Sequence, residues 1–354
     1  MSVRNLEVQV LFDGQVDPVL ALVQFEIDAS RYEACDIATL RLAVRKQGAA
    51  TPWFEAEQPA RKWVTLQMRD TQNIAAAWTT LFQGRLDHID YVAEHAILEM
   101  ECRDALAALM DLRVQDVWLN HTQQELLENL AQAAGLEARI TLPSDQAALM
   151  AGQFWQIEHK RGALMGQHRF QTAADLAFTV ARDAFCDLYA DGTSLVCQPL
   201  GSASEAGAQV TDMRQAVLET GIARDLQLLA GVVVHMASWD SRQRSTTHVY
   251  YDGVSFSQDA PSGNSTIHTF RVPGRRLEDL QRLARGKHAR IAAHALSVRI
   301  KIPGIIGVSP RNFMTVAVGN GEKTLGIDQV LSRFSVEQGF VQHVVLRDRG
   351  VRHE

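Results

Sequence analysis

Leu81-Phe82-Gln83-Gly84-Arg85-Leu86, then Ala96-Ile97-Leu98-Glu99-Met100-Glu101-Cys102, run directly into Arg103-Asp104. The second stretch alternates apolar and polar residues, so it reads as a strand with one buried face and the first as its partner. Downstream, Thr122-Gln123-Gln124-Glu125 and Thr172-Ala173-Ala174-Asp175 open two helices alike. Each Thr hydroxyl can accept the N–H three residues on, Glu125 can reach back as in a capping box, and Gly135 supplies a left-handed stop. A hairpin, Leu188 to Leu195, follows the second helix. This order of elements constrains the fold more than any single residue does.

The residues before this stretch read as antiparallel strands: Leu6 to Phe12, Val19 to Ile27, Ile37 to Val44 and Trp63 to Met68. Gln47 to Arg61 and Asp70 to Ala77 read as loops, Pro143 to Arg169 as a long loop without a convincing period, and Gly201 to Gly207 as a linker. In the last third, Leu226 to Met236 is a nearly unbroken apolar run, expected to be a strand covered on both faces. Leu277, Leu280, Leu283, Ala284 and Ile291 mark a helix with Glu278 and Asp279 in its first turn. Ser297 to Ile302, Met314 to Val318, the turn Gly319-Asn320-Gly321, Ile327 to Val336 and Val341 to Arg347 complete a meander.

The two ends of the chain repeat one another. Gly84 precedes Ile89 and then Arg103-Asp104, as Gly326 precedes Leu331 and then Arg347-Asp348. Aligned glycine to glycine, both segments are strand, turn, strand, with the extra length of the second assigned to its turn around Gln338-Gly339. The expectation is two related β-barrels, with the helices that start at Thr122 and Thr172 outside both.

Composition bounds the function. The 354 residues carry a net charge of −6, which disfavours a polyanion-binding surface over the whole chain. No apolar run is long enough for a membrane span and no signal core follows Met1, so a soluble protein folding in the cytoplasm is expected. Cys35, Cys102, Cys186 and Cys197 have no zinc-site spacing. A two-residue turn at Asp191-Gly192 would set Cys186 opposite Cys197, at a cross-strand site poorly suited to a disulfide, so four free thiols are expected.

Candidate chemistry is sparse. His159 and His168 lie on a loop, and His288 and His294 fall on different faces of a helix, so neither pair has the spacing of a helical metal site. Gly319 to Gly326 precedes a strand and lacks phosphate-loop spacing; Ser238 and Ser309 sit in no nucleophile elbow. The acid pairs Asp87 with Asp90 and Glu99 with Glu101 lie on strands. Arg271, Arg275, Arg276, Arg282, Arg285, Lys287 and Arg290 form a basic cluster without aromatic interleaving apart from Phe270, read as a solvated or partner-facing surface rather than a nucleic-acid site. Trp239 reads as a core or rim anchor. No catalytic, cofactor-binding or metal residue is assigned.

The succession of the Gly84 strand, the Cys102-Arg103-Asp104 corner, the two Thr-initiated helices, the hairpin from Leu188 through Asp191-Gly192 to Pro199-Leu200, Val232 to Asp240, and the helix from Leu277 leading to Gly326 resembles the late control D family. These are baseplate hub proteins of contractile phage tails, related to the front portion of VgrG spikes of type VI secretion. The first thirty residues, the long loop from Pro143 and the ending at Glu354 depart from the pattern.

The resemblance implies a mainly β protein with an α+β insertion: two tail-tube-like antiparallel barrels, the first at 1–112, the second at 209–240 and 276–354, and an inserted α+β region at 113–208 and 241–275. It implies a homotrimeric structural hub that adapts a six-fold tail tube to a three-fold spike, within the baseplate of a virion assembled in the host bacterial cytoplasm. Expected partners are the tail tube, a separate spike protein and baseplate wedge proteins, with no cofactor, no membrane and no sequence-specific nucleic acid. A tail-associated cell-wall hydrolase and a receptor-binding tail protein are the competing classes.

Overall fold

A computed structural model describes residues 5–45, 52–72, 77–114, 121–147, 171–201, 208–214, 217–240, 244–261, 263, 265–272 and 275–349. The first barrel uses β1 (Leu6–Phe12), extended by the two-residue β2 (Gln15–Val16), with β3 (Leu20–Ser30), β4 (Ile37–Val44), β5 (Trp63–Asp70), β6 (Thr79–Val92) and β7 (Ile97–Arg103). Its strands pair in the order β3-β4-β7-β6-β5-β1, all antiparallel. Alternation puts Phe25, Leu40, Leu42, Leu66, Leu98 and Met100 inside, each at most 1% exposed and each stabilising by about 2 kcal/mol.

The α+β region holds α1 (Ala107–Asp111), α2 (Gln123–Ala133), β8 (Glu137–Ile140), α3 (Ser144–Ala147), α4 (Ala173–Asp183), β9 (Cys186–Asp191) and β10 (Ser194–Pro199). Both capping boxes are formed, Thr122 with Glu125 and Thr172 with Asp175, and Gly135 has φ +71° just past α2. The apolar stripes of α2 and α4 meet the three-stranded sheet β8-β10-β9 in a core of their own. The long loop expected from Pro143 gives way at once to α3; most of it, with His159 and His168, lies outside the described residues, as does most of the linker at 201–207.

The second barrel comprises β11 (Val210–Asp212), β12 (Glu219–Arg224), then, after an excursion, β17 (Leu296–Pro303), β18 (Phe313–Val318), β19 (Gly321–Ser335) and β20 (Gly339–Arg347). The excursion carries α5 (Leu226–Leu229), β13 (Val232–Asp240), β14 (Ser245–Tyr251), β15 (Phe256–Ser257), β16 (Thr266–Arg271) and α6 (Leu277–Ala292). Val232–Asp240 and the helix Leu277–Ala292, assigned from sequence to the second barrel, instead build a separate layer with β14 and β16. Val232, Val234 and Met236 on β13 and Leu280, Leu283 and Ala284 on α6 share one core.

Three further readings are corrected. The apolar run from Leu226 is not one strand: the Asp225 carboxylate accepts from the amides of Gln227 and Leu228 and starts a helical turn, leaving Leu226 exposed. The α6 helix packs on the face of β13 that carries Val232, Val234 and Met236; on the other face Val233 is buried while Trp239 is 52% exposed, which rules out the core of the two places, core or rim, read for it. The hairpin turns at Gly192-Thr193, one residue later than read, with Gly192 at φ +58° in the first central position of a II′-type turn. Cys197 therefore faces Leu188, and Cys186 is its diagonal neighbour. All four cysteines are buried and free; burial pushes the thiols of Cys35 and Cys102 up to about 11 and about 12, where they are inert.

Numbered in chain order, β1, β3, β4, β5, β6 and β7 pair as 2-3-6-5-4-1, and so do β11, β12, β17, β18, β19 and β20. The pairs differ only at the end, where β11 joins β18 parallel over three residues. Each barrel has a bulge in its fifth strand, at Asp87 between Leu86 and His88 and at Asp328 between Ile327 and Gln329. The bulges align Asp87 with Asp328 and Arg103 with Arg347, so Gly326 corresponds to Arg85, one place from the glycine-to-glycine alignment. The extra length of the second hairpin lies in its strands, since 93–96 turn the first and only 336–338 the second. No helix among the described residues is long and apolar enough to cross a membrane.

Candidate assembly interface

The barrels are joined through backbone. Beyond its bulge, β19 leaves β18 and pairs antiparallel with β3, Gln329 facing Ser30 and Ser335 facing Gln24. Phe25 and Phe334 stack across this seam at 5.5 Å, Arg333 donates to Glu26 at 2.6 Å, and Gln329 donates to Asp28 at 2.7 Å.

At the bulge, Asp328 is fully buried. Its carboxylate accepts from Nε and Nη2 of Arg349, both at 2.7 Å, and from the Tyr32 hydroxyl at 3.1 Å; Arg347 lies at 3.1 Å. Its carbonyl accepts from the Arg31 amide at 2.7 Å. The Arg31 side chain, 4% exposed, pairs with Asp187 on β9 at 2.6 Å, and Arg311 lies over Tyr189 at 4.2 Å while donating to the Ser30 carbonyl. One charged cluster thus ties both barrels to the α+β region. Arg311 sits at φ +78°, strain that such a cluster can sustain.

A second carboxyl pair, Asp104 buried and Asp36 half-buried, lies at the foot of the same seam. Asp36 accepts from the Ser30 amide, and Asp104 accepts from the amides of Asp36 and Leu106. Burial pushes Asp36 up to about 6; burial and then the Asp36 charge push Asp104 up to about 7. A raised carboxyl contributes stability fully below its unfolded value, near 4, and loses it as pH rises through its folded value. His235, His288 and His294 are held low by burial and act in the opposite sense below their ordinary value of 6.5, so the contribution is read as a difference between variant and unmodified chain. Urea unfolding of Asp36→Asn should show stability relative to the unmodified chain rising by on the order of 1 kcal/mol between pH 5 and pH 8. A difference independent of pH would show that Asp36 titrates normally.

Two backbone edges that correspond to the two sides of the internal seam have no pairing among the described residues. One is the outer edge of β12; the other is the half of β6 beyond its bulge, residues 88–92, where β5 has left it. In β12 and the residues flanking it, Leu218, Ile222, Leu226 and Leu229 are between 39% and 76% exposed. Beside the β6 edge, Asp87 accepts from Arg61 and from Arg103, the latter at 2.5 Å, and Arg103 also holds Asp111 at 3.0 Å.

The residues weighed from sequence scatter. His288 packs edge-on to Tyr251, His294 sits 2.6 Å from Arg347, and Ser238 accepts from the Arg275 amide. The basic cluster is largely used inside the chain: Arg285 lies over Phe256, Lys287 over Phe270, and Arg290 reaches Glu33 at 3.4 Å. No group of three His, Cys, Asp or Glu side chains suited to a metal exists among the described residues. Sequence reading missed Asp328, Arg31 and Arg311; the shared Asp at the two bulges was the available signal.

Solved structures resemble this chain along its whole length. A 43 kDa tail protein of prophage MuSo2 from Shewanella oneidensis matches with TM-score 0.65 at 11% identity, covering 98% of this chain and 99% of that one. A tail protein from Neisseria meningitidis MC58 matches with TM-score 0.70 at 11% identity, covering 98% and 97%. The chain has the tail-protein fold. An E. coli component of the type VI secretion system, itself similar to tail proteins of bacteriophage T4, shares this fold with TM-score 0.57 at 11% identity over 97% and 78% of the chains. The fold expected from the resemblance, two antiparallel barrels with an α+β insertion, is the one observed. No family model matches the sequence, and no curated protein does.

Proposed function

We propose that this tail-protein fold serves as a structural hub in the baseplate of a contractile phage or tailocin-like tail, a homotrimer that adapts a six-fold tail tube to a three-fold spike. The observation that carries the reading is the strand order used twice with a one-sided seam: one barrel edge is consumed inside the chain and its counterparts are left open. Three chains supply six similar barrels under three-fold symmetry, which is what a joint between six-fold and three-fold neighbours requires. The likeness over nearly the whole chain to prophage tail proteins and to a type VI secretion component supports the same setting.

In this reading the partners are the tail tube, a separate spike and wedge proteins, the location is the virion tail assembled in the host cytoplasm, and the chain is not an enzyme. In this division the described residues of 5–103 form one barrel, those of 107–199 an α+β layer, those of 225–295 a second layer inserted in the second barrel, and β11, β12 and β17–β20 that barrel. Light scattering with negative-stain imaging should give a mass three times 39.3 kDa and a three-fold ring with an open channel. A monomer at high concentration that also releases fragments from cell wall would replace this reading with the hydrolase one.

A further inference from the structure

We infer that copies of this chain join by strand addition, β12 of one copy lying antiparallel on residues 88–92 of β6 in the next, in the register that β3 and β19 use within the chain. The inference deepens the hub reading and rests on it in taking the occupant of both edges to be a second copy.

The register follows from the repeat. Arg103 and Arg347 hold the same place, so the pairings of β4 with β7 and of β17 with β20 align Ala38 with Val298. Ala38 faces Ile27 on β3, and Val298 faces Ile222 on β12, which makes Ile222 the counterpart of Ile27. In the fifth strands the bulges align Tyr91 with Ser332, the residue that faces Ile27. Across the new seam Tyr91 therefore faces Ile222, Asp90 faces Ala223, Ile89 faces Arg224 and Val92 faces Gly221. The Leu226 N–H, at the place of Arg31, would meet the carbonyl of Asp87 as Arg31 meets that of Asp328 at 2.7 Å.

Three observations favour a second copy as the occupant. In the sheet that runs β12-β17-β20-β19-β3-β4-β7-β6 and on through β5, β1 and β2, β12 is the first strand and residues 88–92 of β6 lie past the last pairing with β5, so head-to-tail joining of these two edges continues one sheet. Ile27 is 4% exposed under the internal seam, whereas its counterpart Ile222 is 39% exposed, an apolar position lacking the cover its twin has. Unpaired edges invite strand addition, and this pair is already complementary within the chain. A heterologous contact of this kind closes into a ring if its rotation permits.

Paired cysteine substitutions in the full chain test the register. Tyr91→Cys with Ile222→Cys and Asp90→Cys with Ala223→Cys straddle adjacent cross-strand sites, one of which is the closer, non-hydrogen-bonded kind. The control is Tyr91→Cys with Thr220→Cys, displaced by two residues; Asp90 and Ala223 are exposed, so their replacement spares the fold. Mild oxidation should give intermolecular disulfides in at least one matched pair roughly tenfold more efficiently than in the control, since displacement adds several ångströms. Single-cysteine variants set the baseline, and light scattering before oxidation reports assembly. A ring that forms but links at neither matched pair, or links best in the control, overturns the register and leaves the hub reading standing. Absence of any oligomer overturns both.

Discussion

Asp328→Ala should lower the unfolding free energy by on the order of 3 kcal/mol, because it strands the largely covered guanidinium groups of Arg347 and Arg349 without their fully buried anion. Tyr32 loses its acceptor in the same step. Asp87→Ala removes the matching residue of the first barrel, yet Arg103 keeps Asp111 and the site is partly open to water, so about 1 kcal/mol or less is expected there. Urea midpoints at constant m-value measure both. Equal losses at the two positions would show that desolvation at the seam does not distinguish them. Asp328→Asn separates charge from shape: it keeps acceptor capacity on one side but places an NH2 group against guanidinium, so it should recover only a small part of the loss.

Ile222→Asp should leave the isolated chain folded and abolish its assembly. The side chain is 39% exposed on an edge strand, so replacement in the monomer costs about 1–2 kcal/mol, which a folded chain of this size withstands. Under the inferred seam the carboxylate would be buried opposite Tyr91 without a cation of its own. That is a penalty of about 3 kcal/mol per contact, or a dissociation constant raised at least a hundredfold. Sedimentation velocity across a concentration series, with circular dichroism as the check on folding, gives the answer. Assembly unchanged by the substitution would place β12 away from the contact.

What the sequence disclosed was local. The caps at Thr122 and Thr172 were legible because acceptor and donor lie three residues apart, and strands such as Leu6–Phe12 and Ile37–Val44 because period-two alternation is written in neighbouring positions. Errors of one residue came where local cues compete. Asp191-Gly192 and Gly192-Thr193 both offer a two-residue turn, and the paired glycines Gly84 and Gly326 concealed the bulges that set the true alignment. Leu226 to Leu229 looked like strand because its side chains are apolar, while the Asp225 cap just before it decides the backbone. The charged cluster was illegible for a different reason. Tyr32 and Asp328 are 296 residues apart, Arg31 and Asp187 are 156 apart, and neither periodicity nor spacing carries information over such distances.

The seam between β3 and β19 is tethered by the polypeptide itself, while the twin inferred between copies would not be. Barrels can therefore enter or leave an assembly only two at a time, and every closed ring counts an even number of them. A ring short of one barrel, or with one too many, is unreachable, so the tether acts as a parity check on construction. It also divides the consequences of damage. A lesion at the tethered seam is felt by each chain in solitude, whereas the same lesion at the untethered seam stays silent until two copies meet.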